Sequence, residues 1–324
     1  MAKKALIVGI NAYRDAPLQG CVNDAHAMHD LLTGSYGFRG EDTRVLCDGR
    51  ATADAIKHRL AWLVDGAKPG DTLVFHFSGH GSQVRDRGPL DELADHKDEI
   101  LCPVDLDWKE KVVTDDDLAA YFRKVPKGAK LNVVLDCCHS GTGTRSLRPP
   151  GEDAGLPSNP HETRQRFLPM PFDIEARMIG TPLPTRRIGA KPPEWLRTRV
   201  KARNQPRNQS RGFWAWLAAL LGGGVVKPAP APAVADRAGV TICPTMGHTL
   251  VSGCASTQTS ADAYFEGSYF GALTYNLTRV LRESGNRSLL DAHGDVVAGI
   301  KRGGFPQDSQ LEGPEDMLKA PAFT

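Results

Sequence analysis

Two apolar runs of strand length break off into reactive side chains. Leu131, Val133, Val134 and Leu135 lead into Asp136, Cys137, Cys138, His139, Ser140 and Gly141. Leu73, Val74, Phe75 and Phe77 lead into Ser78, Gly79, His80 and Gly81. Apolar runs without polar alternation suit strands buried on both faces. Similar short runs at 5–10, 43–47, 99–104 and 249–254 predict further strands. Between them the apolar spacing lengthens to three and four. Ala25, Met28, Leu31 and Leu32 predict a helix over 25–32, with Asn23 or Asp24 as N-cap and Gly34 as its stop. Ile56, Leu60 and Leu63 predict a second over 53–64, capped by Thr52. Shorter helices are expected over 118–122, after the Thr114–Asp117 cap, and over 296–300; Leu273, Leu277, Val280 and Leu281 predict one over 270–281. Residues 85–99 read as an exposed charged loop, and 305–307 as a final extended piece. Alternating strand and helix predict an α/β fold, with a mostly parallel central sheet sandwiched between helices.

Periodicity fades beyond Thr142. Residues 142–238 hold 16 Lys+Arg against 7 Asp+Glu with much Pro and Gly, and end in the Pro-Ala repeat at 228–232. The expected organisation is a first region over 1–145, a basic, largely irregular insertion over 146–238, and residues 239–324 as the rest of the same domain. The apolar island 213–221 is too short to span a bilayer and is expected as a helix packed on the core or over a cleft.

Bulk composition narrows the function classes. In 324 residues, 40% hydrophobic and 24% charged content is ordinary for a soluble globular protein, and a net charge of +2 does not argue for nucleic acid. The basic stretch 186–211 lacks a stacking-aromatic pattern. Asn11 and Tyr13 interrupt the first apolar run, which therefore does not read as a signal peptide, and no transmembrane segment is expected. Seven cysteines, an odd number without scaffold spacing, fit reduced thiols. A cytoplasmic monomer is expected.

A thiol attacks only as thiolate, so a nucleophilic cysteine needs an imidazole or a helix N-terminus nearby. His80 meets that need if its strand lies beside the Cys138 strand. The backbone N–H groups of Gly81 and Cys138 are the natural donors for an oxyanion, because glycine lets a substrate approach closely. Together these residues describe an acyl-transfer site, with peptide hydrolysis through a thioester as the expected reaction. A packed core histidine and a structural thiol are the bland alternative for each residue taken singly.

The two strand-end motifs, 78–81 and 136–141, resemble the His and Cys motifs of the metacaspases, caspase-like peptidases. Residues 18–25, 98–100, 103–105, 115–118, 252–254, 259–263, 271–274, 306–307 and 310–313 resemble the same family, so the likeness covers about 1–145 and 240–313. It implies a caspase-like fold and a cysteine endopeptidase cutting protein or peptide substrates after Arg or Lys, with self-processing. It makes Cys138 the nucleophile and His80 its base, and leaves Cys137 as packing. It implies a pocket for the basic P1 side chain lined by Asp24 and Asp136, with Cys21 and Ser78 nearby; a guanidinium removed from water needs such carboxylates. No cofactor is required for the chemistry. Calcium, bound in many metacaspases, would fall to Asp98, Asp115 and Asp116, but the place of a fourth acid is taken by Arg145, whose charge repels a cation. Arg145, Arg148 and Arg164 are the expected self-cleavage positions. The alternative is a catalytically silent caspase-like scaffold or sensor. Caspase-type cleavage after Asp conflicts with an acidic pocket.

Overall fold

A computed structural model of the chain describes residues 1–85, 97–138, 163–178, 233–234, 239–255 and 258–324. In chain order these form β1 (Lys3–Gly9), α1 (Cys21–Ser35), β2 (Thr43–Cys47), α2 (Ala53–Val64), β3 (Thr72–Ser78), β4 (Gly81–Arg85), β5 (Lys97–Leu101), β6 (Val113–Thr114), α3 (Asp115–Phe122) and β7 (Lys130–Asp136). There follow β8 (Arg164–Gln165), α4 (Phe172–Met178), β9 (Ala233–Val234), β10 (Val240–Ile242), β11 (Thr249–Ser252), β12 (Ala261–Phe265) and β13 (Ser268–Gly271). The chain closes with α5 (Ala272–Ser284), α6 (Leu289–Arg302), β14 (Gln310–Gly313) and α7 (Glu315–Lys319).

An eight-stranded sheet in the order β2-β1-β3-β7-β11-β14-β10-β9 carries the fold. Its first five strands are parallel, and β14 turns antiparallel to β11. Side chains alternate across the sheet with period two, which gives it two cores. Leu6, Val8, Phe75, Leu131 and Val133 pack with Ile56, Leu60, Leu118 and Phe122 of α2 and α3. Ala5, Ile7, Val74 and Val134 pack with Met28 of α1, Leu277 of α5 and Val296 of α6 on the other face. The expected α/β sandwich is therefore what forms.

Local signals held where the partner group is close in sequence. Thr52 accepts from Ala55 N–H at 3.2 Å, and Thr114 and Asp117 exchange 3.0 Å bonds in a capping box. Other boundaries fell elsewhere than the local pattern places them. Helix α1 starts at Cys21, not beyond Asn23, because Asn11 Oδ1 accepts the Cys21 N–H at 2.8 Å. Gly34 lies inside that helix rather than after it. Phe270 and Gly271 belong to the β12–β13 hairpin, so α5 begins at Ala272. Helix α6 begins well before Val296, with Ser288 accepting from Asp291 N–H at 3.0 Å. Of the expected 85–99 loop, Arg85 ends β4 and residues 97–99 open β5, an antiparallel pair, and 86–96 lie outside the described residues. The island at 213–221 lies outside the described residues, and among those described no helix is long and apolar enough to cross a membrane.

Gly9, at the end of β1, faces the first turn of α1 so closely that a Cβ there would overlap the Cys21 carbonyl oxygen and the Ala25 methyl. Gly9→Ala is expected to cost about 1–3 kcal/mol through overpacking, read as a lower urea midpoint at unchanged slope; an unchanged midpoint contradicts this packing.

Candidate active site

Strands β3 and β7 pair in parallel with Ser78 opposite Asp136. Alternation then sends Val134, Asp136 and Cys138 to the α1–α5 face with Val74, His76 and Ser78, while Leu135 and Cys137 join the core on the α2–α3 face. Cys137 is thus a core thiol, and burial pushes its pKa well above the ordinary value. His76, equally buried, faces Thr274 Oγ1 at 3.3 Å and is pushed down to about 4 by burial, as a core histidine should be.

His80 sits just past β3. Its Nε2 is 2.8 Å from the Ala16 carbonyl oxygen, which can only accept, so Nε2 carries the proton and Nδ1 keeps its lone pair. Nδ1 is buried with no hydrogen-bond partner among the described residues. Tyr13 holds the residue from both sides: its hydroxyl accepts the His80 N–H at 3.0 Å and donates to the Cys102 carbonyl at 2.9 Å, with the two rings 4.6 Å apart. Burial lowers the imidazole's pKa to about 4, opposed by the Ala16 carbonyl and reinforced by the Arg166 charge. The Cys138 thiol accepts the Ser260 N–H at 2.6 Å and lies 3.7 Å from the Ser260 carbonyl oxygen.

What lies between these groups is a piece of the chain itself. Strand β8 pairs antiparallel with β12, and the next residue, Arg166, turns its side chain into the molecule. Its carbonyl oxygen accepts from Gly81 N–H at 3.0 Å and from Cys138 N–H at 3.2 Å, and its own N–H donates to Ser260 O at 3.0 Å. The guanidinium, fully buried, meets three carboxylates: Asp24 at 2.7 Å, Asp262 at 2.9 Å and Asp136 at 3.3 Å. It also donates to Ser78 Oγ at 2.8 Å and to the Asp136 carbonyl at 3.1 Å. Burial opposes its charge, but Cys21 and the three acids hold its pKa well above the ordinary value.

Each acid is held by neutral donors as well. Asp24 accepts from Ser78 Oγ at 2.7 Å and Gly271 N–H at 2.9 Å. Asp136 accepts from Thr274 N–H and Oγ1, both at 2.8 Å, and from Ser260 Oγ at 2.5 Å. Asp262 accepts from Gln19 N–H at 2.8 Å and Gly20 N–H at 2.9 Å, at the start of α1. Burial pushes Asp24 up to about 6; the guanidinium opposes this and Asp136 adds to it. Gly271 is what leaves room, because a Cβ there would overlap both the Arg166 Nη1 and Asp136 Oδ2. The Cys21 thiol is also buried here, and burial raises its pKa, opposed first by the Arg166 charge.

Sequence reasoning thus picked out residues that the fold brings together, Asp24, Asp136, Ser78 and Cys21, left Asp262 open between a structural role and support for the pocket, and gave no role to Gly271 or Arg166. Asp262 stands in the family-like stretch 259–263, but a single acid in a strand has no spacing that sends it to the pocket. Arg166 is one of many arginines in the basic insertion, and nothing in its neighbours marks it. Arg164, an expected self-cleavage position, donates from Nη1 to the Pro17 carbonyl at 2.7 Å, and Arg145 and Arg148 lie outside the described residues. His139, Ser140 and Gly141 also lie outside them.

The expected calcium ligands do not assemble. Asp98 and Asp115 are buried, Asp116 is at the surface, and an Asp115 oxygen accepts the Asp116 N–H at 3.0 Å as a helix-start contact. Among the described residues no group of three or more His, Cys, Asp or Glu is placed to hold a metal ion. As the described residues are placed, Asp98, Asp115 and Asp116 do not form a calcium site.

Two amides converging on one carbonyl oxygen, beside a thiol and an imidazole with a free lone pair, are the parts an acyl transfer needs. Comparison with known proteins agrees. The metacaspase, peptidase C14 domain matches residues 3–145. Metacaspase-1 of Scheffersomyces stipitis is 30% identical over 327 residues, covering 97% of this chain and 72% of that one. Metacaspase-1 of Meyerozyma guilliermondii is 28% identical over 326 residues, covering 97% and 70%. A crystal structure of a protein from Geobacter sulfurreducens shares the fold with a TM-score of 0.58 at 21% identity, covering 100% of this chain and 99% of that one. The protein is a caspase-like cysteine peptidase. Within that class, the chain belongs to the metacaspase family.

The cover over His80 has a measurable consequence. In the intact protein the imidazole is expected to stay neutral down to about pH 4. In Arg166→Ala, where the covering segment loses its anchor, readmitted water should move the pKa up toward the ordinary 6.5. Side-chain NMR titration of His80 reads both values; equal values in the two proteins contradict burial as the cause.

Proposed function

We propose that this metacaspase is an endopeptidase that cuts after Arg or Lys through a Cys138–His80 dyad. The observation that carries the reading is the seating of Arg166, with its guanidinium among Asp24, Asp136 and Asp262 and its carbonyl between two N–H groups. A substrate arginine bound the same way presents its carbonyl carbon to the rim of β7, where the thiol is.

The Cys138 proton passes to His80 Nδ1, the ring atom left bare by the Nε2–Ala16 bond. The thiolate attacks the carbonyl carbon, and Gly81 and Cys138 N–H stabilise the oxyanion that develops. Collapse expels the leaving amine, which takes the proton from His80. Water then hydrolyses the thioester with the imidazole as base and restores the thiol. Asp24 and Asp136 anchor the P1 side chain, assisted by Ser78, Cys21 and Asp262. Lysine carries one charge without the planar fork, so it engages fewer of the three acids at once.

The chemistry uses no metal and no cofactor in any step. Protein or peptide substrates follow from the family. Seven free cysteines suit a reducing compartment, and the cytosol is the proposed site of action, with the protein as a monomer.

A reporter panel varied only at P1 tests the reading. Wild type should cleave Arg and Lys reporters and spare Asp. Cys138→Ala should lose at least about 10³-fold, in line with loss of a covalent nucleophile. Asp24→Asn should lose roughly 30- to 1000-fold in kcat/KM on Arg, the effect of removing one partner of a buried charge pair. Absence of cleavage at any P1 residue, with or without added calcium, favours the silent scaffold.

A further inference from the structure

The segment over 163–170 is bound as a substrate would be. On one side of Arg166 the chain extends as β8 along β12, with Gln165 opposite Ala261 and Arg164 opposite Asp262. On the other side Phe167 makes a parallel bridge with Gly81, Leu168 N–H donates to the Gly81 carbonyl at 3.0 Å, and Ser82 Oγ donates to the Leu168 carbonyl. Leu168, Met170 and Ile174 then dock against the α2–α3 core. The cleft is filled on both sides of a single peptide bond, that between Arg166 and Phe167. Among the described residues, Arg166 is the basic side chain that the three acids enclose.

We infer that Arg166–Phe167 is the chain's own first cleavage site, and that until it is cut the segment blocks the cleft against other substrates. The inference rests on the dyad and the basic P1 preference proposed above, and assigns a bond to them. Cys138 Sγ forms a bond to the Arg166 carbonyl carbon, whose oxygen already lies between the two amides. The Arg166 C–Phe167 N bond breaks, and the Phe167 amine leaves with the His80 proton. Water hydrolyses the thioester, leaving a carboxylate on Arg166 and a free thiol on Cys138.

The same geometry explains why the block is strong. The segment is tethered, so it competes with outside substrates at an effective concentration in the millimolar range. Strand pairing on both sides of the bond sets the segment's register, and the guanidinium among its three acids is the anchor that keeps it seated. Cleavage removes one of the two tethers, so Arg166 becomes a chain end that exchanges out of the pocket as a product does, while the Phe167 side keeps only the Gly81 and Ser82 bonds and the apolar contacts of 168–174.

Two uncleavable variants of the full chain separate the roles. Phe167→Pro keeps Arg166 and the Gly81 pairing, since the Phe167 N–H is not used in that bridge, but a proline after the cut bond resists transfer. It should stay intact and show a low rate on an Arg reporter. Arg166→Ala should also stay intact, yet cleave the reporter without a lag and at least about tenfold faster initially than Phe167→Pro, because the pocket is unoccupied. Wild-type protein should yield a fragment whose N-terminal residue is Phe167, with a half-time unchanged on dilution.

The inference is overturned if the new N-terminus is Gln165 or lies elsewhere while Arg166–Phe167 stays whole. It is overturned equally if the half-time lengthens in proportion to dilution, or if the two variants cleave the reporter alike. If wild type cleaves the Arg reporter but never itself, the bond assignment fails and the endopeptidase reading stands. If neither wild type nor Arg166→Ala cleaves any reporter, the endopeptidase reading fails first and takes this inference with it. Should Arg166→Ala not fold, Phe167→Pro still decides: a reporter rate equal to that of cleaved wild type overturns the block.

Discussion

The parallel pairing of β3 with β7 is the constraint on which the rest depends. Its register puts Ser78 beside Asp136 and lets both strands end at the same rim. Because side chains alternate with period two, a slip of one residue would send Asp136 and Cys138 into the α2–α3 core and bring Cys137 to the pocket. The slip is prevented by burial on both faces: Phe75 and Val133 pack into one core, Val74 and Val134 into the other. Hydrophobic packing that has nothing to do with chemistry therefore decides which of two adjacent thiols lies on the pocket's face of the sheet.

The pocket beyond that rim is a problem in charge balance. Three carboxylates with one guanidinium would be costly in a dry interior if the acids faced only each other. Here every acid also accepts from neutral donors, including backbone N–H groups of Gly20, Gly271 and Thr274. Most of these donors belong to the backbone of the fold rather than to the segment that carries Arg166, so they oppose the mutual repulsion of the acids independently of the guanidinium.

Much of this was legible in the sequence, for identifiable reasons. The strands were readable because double burial leaves an unbroken apolar run, and α2 and α3 because their caps are local. Asp24 was readable as a pocket residue through its family motif but misplaced as a cap, since the group that starts α1 is Asn11, ten residues away. The β12–β13 hairpin was hidden because Phe270 continues the apolar spacing of α5. Arg166 was illegible on any local ground. A segment bound by backbone pairing to a distant strand needs no pattern of its own, and charge composition alone says that an arginine should be outside.

The insertion also divides the sheet. Strands β1, β2, β3 and β7 precede it, while β11, β14 and β10 follow it, and the two sets join along the β7–β11 ladder from Thr249 with Asn132 to Ser252 with Leu135. Asp262 adds a second seam, bonding the hairpin to the first turn of α1. A chain severed within the insertion is thus two polypeptides sharing one core. Its unfolding becomes a dissociation as well, so its stability acquires a dependence on protein concentration that the uncut chain lacks.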